Sequence, residues 1–100
     1  MFIAMNRFRI ALGREEEFVA IWRQRETYLD DVPGFHEFHL LRGPSDDTAT
    51  LFASHAVWES RAAFEDWTKS EAFRKAHAQA GAAKDIYLGP PNFEGFEVVL

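Results

Sequence analysis

The sequence predicts an α+β fold of the ferredoxin-like β-α-β-β-α-β type, with a four-stranded antiparallel sheet. Segments of alternating side chains, typical of strands, are separated by segments with helical apolar spacing, and the two types follow each other in that order. Apolar side chains occur on both faces of the expected sheet, although helices cover only one face in such a fold. We therefore expect a homodimer in which a second copy covers the other face.

The first strand is predicted over residues 2–10. Its side chains at even positions form one face, which consists of Phe2, Ala4, Asn6, Phe8 and Ile10. A helix is predicted over 14–29, because apolar residues recur at helical spacing and three glutamates occupy the first turn, where the helix dipole favours them. The DDVPG segment at 30–34 ends this helix and opens a turn.

The second half of the chain supplies the remaining elements. In chain order, they are a strand over 35–42, a hairpin loop at 43–47, a strand over 48–58, a helix over 61–69 capped by Ser60, a helix over 71–80 capped by Ser70, an irregular connection over 81–92, and a last strand over 93–100. Within the connection, Ile86, Tyr87 and Leu88 are more apolar than a solvated loop needs. No internal repeat, linker or low-complexity segment interrupts this order, so residues 1–100 are expected to form a single domain.

Composition narrows the possible functions. The chain has 100 residues, 47% of them hydrophobic and 15% aromatic, and a formal net charge of −5. That charge argues against binding to a nucleic-acid backbone, and the absence of cysteine excludes disulfides and thiolate metal sites. The sequence contains neither a signal peptide nor a long apolar run, so we expect a cytoplasmic protein with no membrane partner.

A tryptophan and a histidine stand out in the segment FEDWTKSEAFRKAHAQA at 64–80. In one unbroken helix, Trp67 and His77 would be about 15 Å apart along the axis and roughly 80° out of phase. A break at Ser70 allows the second helix to take a new direction, which would let both rings line one pocket. Phe73 and His77 would then share one helix face.

Other interpretations of these residues stay open at this point. A histidine on a surface helix is usually only solvated, and a tryptophan belongs more often to a core than to a ligand wall. Asn6 interrupts the apolar face of the first strand, and a buried amide there needs partners, which a neighbouring loop could supply. The run HEFH at 36–39 does not have the spacing of a zinc motif, so it does not predict a metal site.

Taken together, these residues show a family pattern. The chain resembles the IsdG-type haem-degrading monooxygenases of the antibiotic biosynthesis monooxygenase superfamily. The most specific part of the resemblance is VWESRAAFEDWTKSEAFRKAH at 57–77, which follows the pattern W-x-S-x-x-A-F-x-x-W-x-x-S-x-x-F-x-x-A-H without a gap. MNRF at 5–8, PGFHEF at 33–38 and the terminal FEVVL add support.

The resemblance implies a catalytic trio of Asn6, Trp67 and His77. His77 would be the axial ligand of the haem iron, Asn6 would donate a hydrogen bond to bound oxygen, and Trp67 would press on the macrocycle and distort it. Haem would serve as both substrate and cofactor. With molecular oxygen and an electron donor, the porphyrin ring would be opened at a meso carbon, releasing iron and a linear tetrapyrrole.

The resemblance also implies a homodimer whose two sheets form a central β-barrel, with one haem in each protomer between the sheet and the helices. Phe73 and the Ile86–Leu88 segment are expected to supply apolar walls for the haem. Arg23, Arg25 and Arg74 are the cations that we expect to meet the haem propionates.

Three alternatives remain for the function. A cofactor-free monooxygenase acting on a phenolic or quinone-like substrate would show no affinity for haem, and Asn6 and Trp67 would orient the organic substrate. A haem carrier would bind haem without degrading it. A structural domain would use all three residues for packing alone.

Overall fold

The computed structural model describes residues 1–24, 29, 31–71, 73–74 and 85–100. Its elements, in chain order, are β1 (Phe2–Ala11), α1 (Glu15–Gln24), β2 (Phe35–Ser45), β3 (Ala49–Trp58), α2 (Arg61–Thr68) and β4 (Asn92–Glu97). The strands form one four-stranded antiparallel sheet in the order β2-β3-β1-β4. This is the predicted ferredoxin-like arrangement, and it is confirmed.

The turn between β1 and α1 depends on Gly13. Its φ of 85° lies in the left-handed region, which glycine adopts without steric penalty. The helix then starts at Glu15, with acidic side chains at Glu15, Glu16 and Glu17 in its first turn. Most of the predicted continuation to residue 29 falls at 25–28, outside the described residues, although Leu29 itself is buried.

The hairpin between β2 and β3 is tighter than predicted. We expected the strand to end at residue 42 and a loop to occupy 43–47, but β2 continues to Ser45, which pairs with Thr50. A register shift between Arg42 and Ser45 absorbs the Gly43-Pro44 pair. Because β2 is an edge strand, Pro44 can lie in it without removing an interior ladder hydrogen bond.

The last strand ends earlier than predicted, at Glu97 rather than residue 100. Glu97 pairs with Phe2, the first residue of β1, and the amide of Val98 donates to the carbonyl oxygen of Met1 at 2.9 Å. The ladder between β1 and β4 thus ends at the first residue of β1, and residues 98–100 lie outside it.

Helix α2 is held against the loop before β2. Ser60 caps its N-terminus by accepting a hydrogen bond from the Ala63 amide at 3.1 Å, as predicted. Gly34 has a φ of 84°, and a Cβ there would lie only 2.5 Å from the Ala63 Cβ. The Gly34 carbonyl oxygen also accepts from the Glu59 amide at 2.7 Å, so this glycine sets how closely the helix approaches the loop.

The helices cover one face of the sheet, which we call the inner face, and its buried residues separate into two hydrophobic clusters. The first cluster contains Phe8, Ile10, Phe18, Phe52 and Ile86. The second cluster contains Phe2, Ala4, Leu29 and Trp58, with Phe64 and Trp67 of α2 packed against it. The opposite face, which we call the outer face, carries the alternate side chains of each strand. No helix within the described residues is long and apolar enough to cross a membrane.

Candidate functional site

Asn6 lies at the centre of the inner face. Its strand neighbours on that face are Ala4 and Phe8, and its partners in register are Ser54 of β3 and Phe93 of β4. The Asn6 side chain is half-buried and makes no hydrogen bond within the described part of the chain. A polar amide is thus presented to the helices from the middle of a mostly apolar surface.

The two hydrophobic clusters meet on either side of Asn6. Ala4 belongs to the second cluster and Phe8 to the first, so the polar position separates them along β1. Trp22 of α1 packs against the first cluster and Phe38 of β2 against the second. The two rings stack on each other with centroids 5.5 Å apart and an interplanar angle of 18°, so they connect the clusters on the helix side of the sheet. The core therefore has an interruption where Asn6 lies, and aromatic rings border that interruption.

Aromatic side chains continue this border toward α2. Phe93, which is 50% exposed, stacks on Phe64 with centroids 5.5 Å apart and an interplanar angle of 10°. The ring centroid of Trp67 lies 6.3 Å from that of Phe64 and 5.4 Å from that of Trp58. Flat apolar surfaces of this kind suit a flat, apolar ligand.

The predicted break at Ser70 is confirmed. Helix α2 ends at Thr68, and the Ser70 hydroxyl donates to the Trp67 carbonyl oxygen at 2.6 Å. The Ser70 hydroxyl oxygen in turn accepts a hydrogen bond from the Phe73 amide at 3.1 Å, which is the geometry of an N-cap. Ser70 thus ends one helical segment and caps the start of the next. The second segment therefore need not continue along the axis of α2.

His77, the predicted axial ligand, and Arg25, a predicted propionate partner, both lie outside the described residues. Phe73 is described, and its ring meets Trp67 edge-on with centroids 4.8 Å apart and an interplanar angle of 85°. The predicted break therefore brings Phe73 onto Trp67, while the position of His77 stays a prediction.

The other predicted site residues differ in their surroundings. Arg23 is exposed at the end of α1, and Arg74 is exposed and forms an ion pair with Glu71. Ile86 is only 1% exposed and packs within the first hydrophobic cluster, so its surface is already used by the core. Tyr87 follows it and forms an isolated bridge with Ile10. The cofactor-binding roles of Arg23, Arg74 and Ile86 stay predictions.

A surface groove of about 420 Å³ runs beside Trp67, between α2 and the loop that precedes β2. The residues that line it are Asp31, Val32, Pro33, Gly34, Glu59, Ala63, Asp66, Trp67 and Ser70. Three of these side chains are carboxylates. The groove therefore has an acidic, partly apolar surface next to the ring of Trp67, a predicted catalytic residue.

The outer face has a different chemistry. His39 and His55 are opposite each other in the β2–β3 ladder, with ring centroids 6.4 Å apart, and they lie beside Met5 of β1. His39 is within 3.8 Å of Glu37. None of these groups faces the interruption at Asn6, so the predicted site and the histidine pair lie on opposite sides of the sheet.

Sequence reasoning missed two residues of the inner face beside Asn6, namely Ser54 and Phe93. Ser54 is 6% exposed and lies in β3 between Phe52 and Ala56 on the inner face. The signal that could have found both was the antiparallel register, since pairing the predicted strands places each beside Asn6. Neither residue belongs to the family motif at 57–77.

The fold and the site together define a ferredoxin-like α+β domain with an aromatic-bordered ligand site on the inner face of its sheet. The chain belongs to the antibiotic biosynthesis monooxygenase family, whose sequence profile matches residues 1–79. The predicted resemblance to the haem-degrading members of this superfamily is confirmed by the relatives described next.

Two relatives are haem-degrading proteins. A staphylobilin-producing haem oxygenase of Staphylococcus haemolyticus is 29% identical over 77 residues, which cover 77% of this chain and 73% of that protein. MhuD of Mycobacterium tuberculosis, a haem degrader solved with two haems bound in its active site, is 30% identical with a TM-score of 0.75. That match covers 100% of this chain and 97% of MhuD.

A third relative has a different chemistry. SnoaB of Streptomyces nogalater, a cofactor-independent oxygenase, has a TM-score of 0.68 at 19% identity, with 99% of this chain and 94% of SnoaB covered. At that identity the likeness concerns the fold alone. The same fold thus carries both haem-degrading and cofactor-independent proteins.

Proposed function

We propose that this chain binds haem between the inner face and the helices and degrades it by oxidation. The observation that carries the proposal is Asn6, an amide without a hydrogen-bond partner in the described chain, placed where the two hydrophobic clusters separate. The similarity to MhuD and to the staphylococcal haem oxygenase supports haem as the substrate.

The surfaces around Asn6 suit a porphyrin. A macrocycle needs flat apolar contacts, and we assign this role to the aromatic group of Phe64, Phe93 and Trp67, whose rings lie next to one another. The propionates need cations or water at the rim. Arg23 and Arg74 are exposed, and we assign them this role together with Arg25.

Each site residue has a separate role in the proposed reaction. His77 would hold the haem iron as a neutral imidazole. Asn6 would donate a hydrogen bond to the dioxygen that the reaction consumes. Trp67 is large and is fixed by Trp58 and Phe73, so it presses on the macrocycle and bends it. With dioxygen as the oxidant and electrons from a donor, the bent macrocycle would be attacked at a meso carbon, and the ring would open to a linear tetrapyrrole with release of iron. Phe73 completes the apolar surroundings, and Ile86 supports them from within the first hydrophobic cluster.

The protein acts as a homodimer in this proposal, with residues 1–100 of each copy forming one domain and the two sheets forming a central barrel. The outer face supports this arrangement, because Leu41 and Phe96 remain 42% and 45% exposed there in one copy. Ile3 and Met5 lie between them on the central strand. Packing a second outer face on these side chains removes apolar surface from water.

The test is an absorption titration of the purified protein with haemin, followed by an electron donor in air. Haem degradation predicts a saturable Soret band that decays after the donor is added, with iron trapped by a chelator. Catalase in the sample excludes attack by free peroxide. Protein without added haem and haem with a non-binding protein serve as the two controls.

Each other outcome favours a different function. A Soret band that stays stable with several donors would indicate a haem carrier. Absence of a saturable, protein-dependent change in the haemin Soret band would favour a cofactor-free oxygenase, in which Asn6 and Trp67 orient a phenolic or quinone-like substrate, as the fold shared with SnoaB allows. The cytoplasmic location stays a prediction that cell fractionation tests.

A further inference from the structure

Two polar side chains lie next to each other at the centre of the inner face. Asn6 of β1 pairs in register with Ser54 of β3, so both side chains point toward the helices from adjacent strands. Directly opposite residues have Cβ atoms about 5 Å apart, which one small polar ligand can span. Ser54 also pairs with Leu40 of β2, an apolar neighbour.

Ser54 differs from the other buried polar residue of the described core. Thr50 and Ser54 are both on the inner face of β3, at 0% and 6% exposure. The Thr50 hydroxyl donates to Glu15 at 2.8 Å and lies 2.7 Å from the Ser45 hydroxyl, so it is fully used within the chain. The Ser54 hydroxyl, in contrast, has no hydrogen bond to any described residue.

Polar groups in folded proteins normally have a partner in protein, water or ligand, and Ser54, a residue only 6% exposed, has none for its hydroxyl among the described residues. Ser54 lies beside Asn6, a half-buried amide that also has no partner in the described chain, at the gap between the hydrophobic clusters. Two adjacent groups in this state are more readily explained by a shared ligand than by two separate packing compromises.

We infer that the Ser54 hydroxyl is a second hydrogen-bonding group of the site and contacts, beside Asn6, the polar ligand bound to the haem iron on the side of the sheet. This inference rests on the proposed function, since it takes haem as the bound substrate. It adds a residue that directly touches the reacting ligand, on a strand different from that of Asn6.

The experiment uses the haem-loaded full chain and two probe ligands, azide for ferric haem and carbon monoxide for ferrous haem. Ser54→Ala removes the donor and should weaken azide affinity about tenfold, as expected for a hydrogen bond to a charged group. It should also raise the carbon monoxide stretching frequency, because a donor to the bound ligand lowers it. Ser54→Thr keeps the hydroxyl and should restore both values.

Ser45→Ala is the matched control, because it removes a hydroxyl that is bonded to Thr50 at the far end of β3. It should lower thermal stability and leave both ligand readouts unchanged. Unchanged azide affinity and stretching frequency in Ser54→Ala, in protein that retains a normal Soret band, would overturn the inference and leave haem binding intact. Absence of haem binding by the wild-type chain would overturn the proposed function together with the inference.

A double-mutant comparison separates direct contact from an effect through Asn6. If Ser54 touches the ligand, Ser54→Ala should still weaken azide binding in the Asn6→Ala background. If the effect of Ser54→Ala disappears in that background, the hydroxyl only orients the amide, and the inferred contact is wrong.

Discussion

The hydroxyl of Ser70 donates a hydrogen bond to the carbonyl oxygen of Trp67 at 2.6 Å and accepts one from the Phe73 amide at 3.1 Å. One side chain therefore fixes both the end of the helix that carries Trp67 and the start of the segment that leads to His77. The proposed axial ligand depends on this junction for its direction.

Ser70→Ala should lower the free energy of unfolding by about 1 kcal/mol, because an N-cap oxygen is lost, and should weaken haem binding as well. Chemical denaturation and haemin titration measure the two effects. Ser60→Ala is the control, since Ser60 caps α2 through a similar bond of 3.1 Å to the Ala63 amide. Equal weakening of haem binding by both variants would show that the Ser70 cap acts only through stability.

Trp67→Phe should leave haem bound but slow its degradation, because the smaller ring exerts less pressure on the macrocycle. Stopped-flow decay of the Soret band measures the rate. The control is Phe18→Leu, because Phe18 is 0% exposed and belongs to the other hydrophobic cluster, which does not include Trp67. Phe18→Leu should cost about 1–3 kcal/mol of stability without changing the rate. A rate loss in Phe18→Leu equal to that in Trp67→Phe would contradict the role assigned to Trp67.

Asn6→Ala should keep haem binding and stability while slowing degradation roughly tenfold or more, since one hydrogen bond to the reacting ligand is lost. Stability should hold because the amide has no partner in the described chain to lose. Thermal unfolding and the rate of Soret decay are measured together. Asn92→Ala, on the outer face, should change neither quantity. A large drop in stability in Asn6→Ala would instead indicate a structural amide.

Leu41→Glu and Phe96→Glu should each convert the proposed dimer to a monomer, because a charge is placed in an apolar sheet-to-sheet contact. Light scattering coupled to size-exclusion chromatography measures the mass. Leu12→Glu serves as the control, since Leu12 is 46% exposed in the turn after β1. Wild-type protein that elutes as a monomer at micromolar concentration would rule out the dimer.

Asp46 in the β2–β3 turn should contribute to acid sensitivity. Its carboxylate accepts hydrogen bonds from the Thr48 and Ala49 amides, both at 2.8 Å, and from the Thr48 hydroxyl, which lowers the pKa of Asp46. A lowered pKa in the folded state gives stability that is present above the unfolded pKa and is lost as pH falls through the folded pKa.

Unfolding by urea between pH 6 and pH 2, a range of about two units on either side of the usual aspartate pKa, tests this expectation. The stability of Asp46→Asn should fall less steeply with acid than that of the wild type. Asp47→Asn, in the same turn, should follow the wild-type slope. Identical slopes for Asp46→Asn and the wild type would show that the turn carboxylate does not contribute to acid sensitivity.

Much of the fold could be predicted because alternation and helical spacing are local signals. The alternation around Asn6 gave β1 and its inner face, and Ser60 and Ser70 marked the two caps. The errors came from non-local causes. The Gly43-Pro44 pair predicts a loop, but Pro44 lies in an edge strand, so β2 continues through it. Strand β4 ends at Glu97 because Glu97 pairs with Phe2, the first residue of β1.

The site was predicted less completely than the fold. The motif identified Asn6 and Trp67, but Ser54 became visible only through strand register, which depends on how distant segments pair. Ile86 illustrates the converse case, since its apolar character suggested a ligand wall and the structure places it in the core. Sequence alone does not distinguish an apolar side chain that packs in the core from one that lines a ligand site.

The most direct measurement is mass spectrometry of the tetrapyrrole after aerobic turnover of the haem-loaded wild-type protein with heavy-isotope dioxygen and an electron donor. The proposed function predicts an open-chain tetrapyrrole that carries oxygen from dioxygen, with iron released in proportion to the haem lost. An intact porphyrin that retains its iron, in a sample whose Soret band shows bound haem, would contradict it.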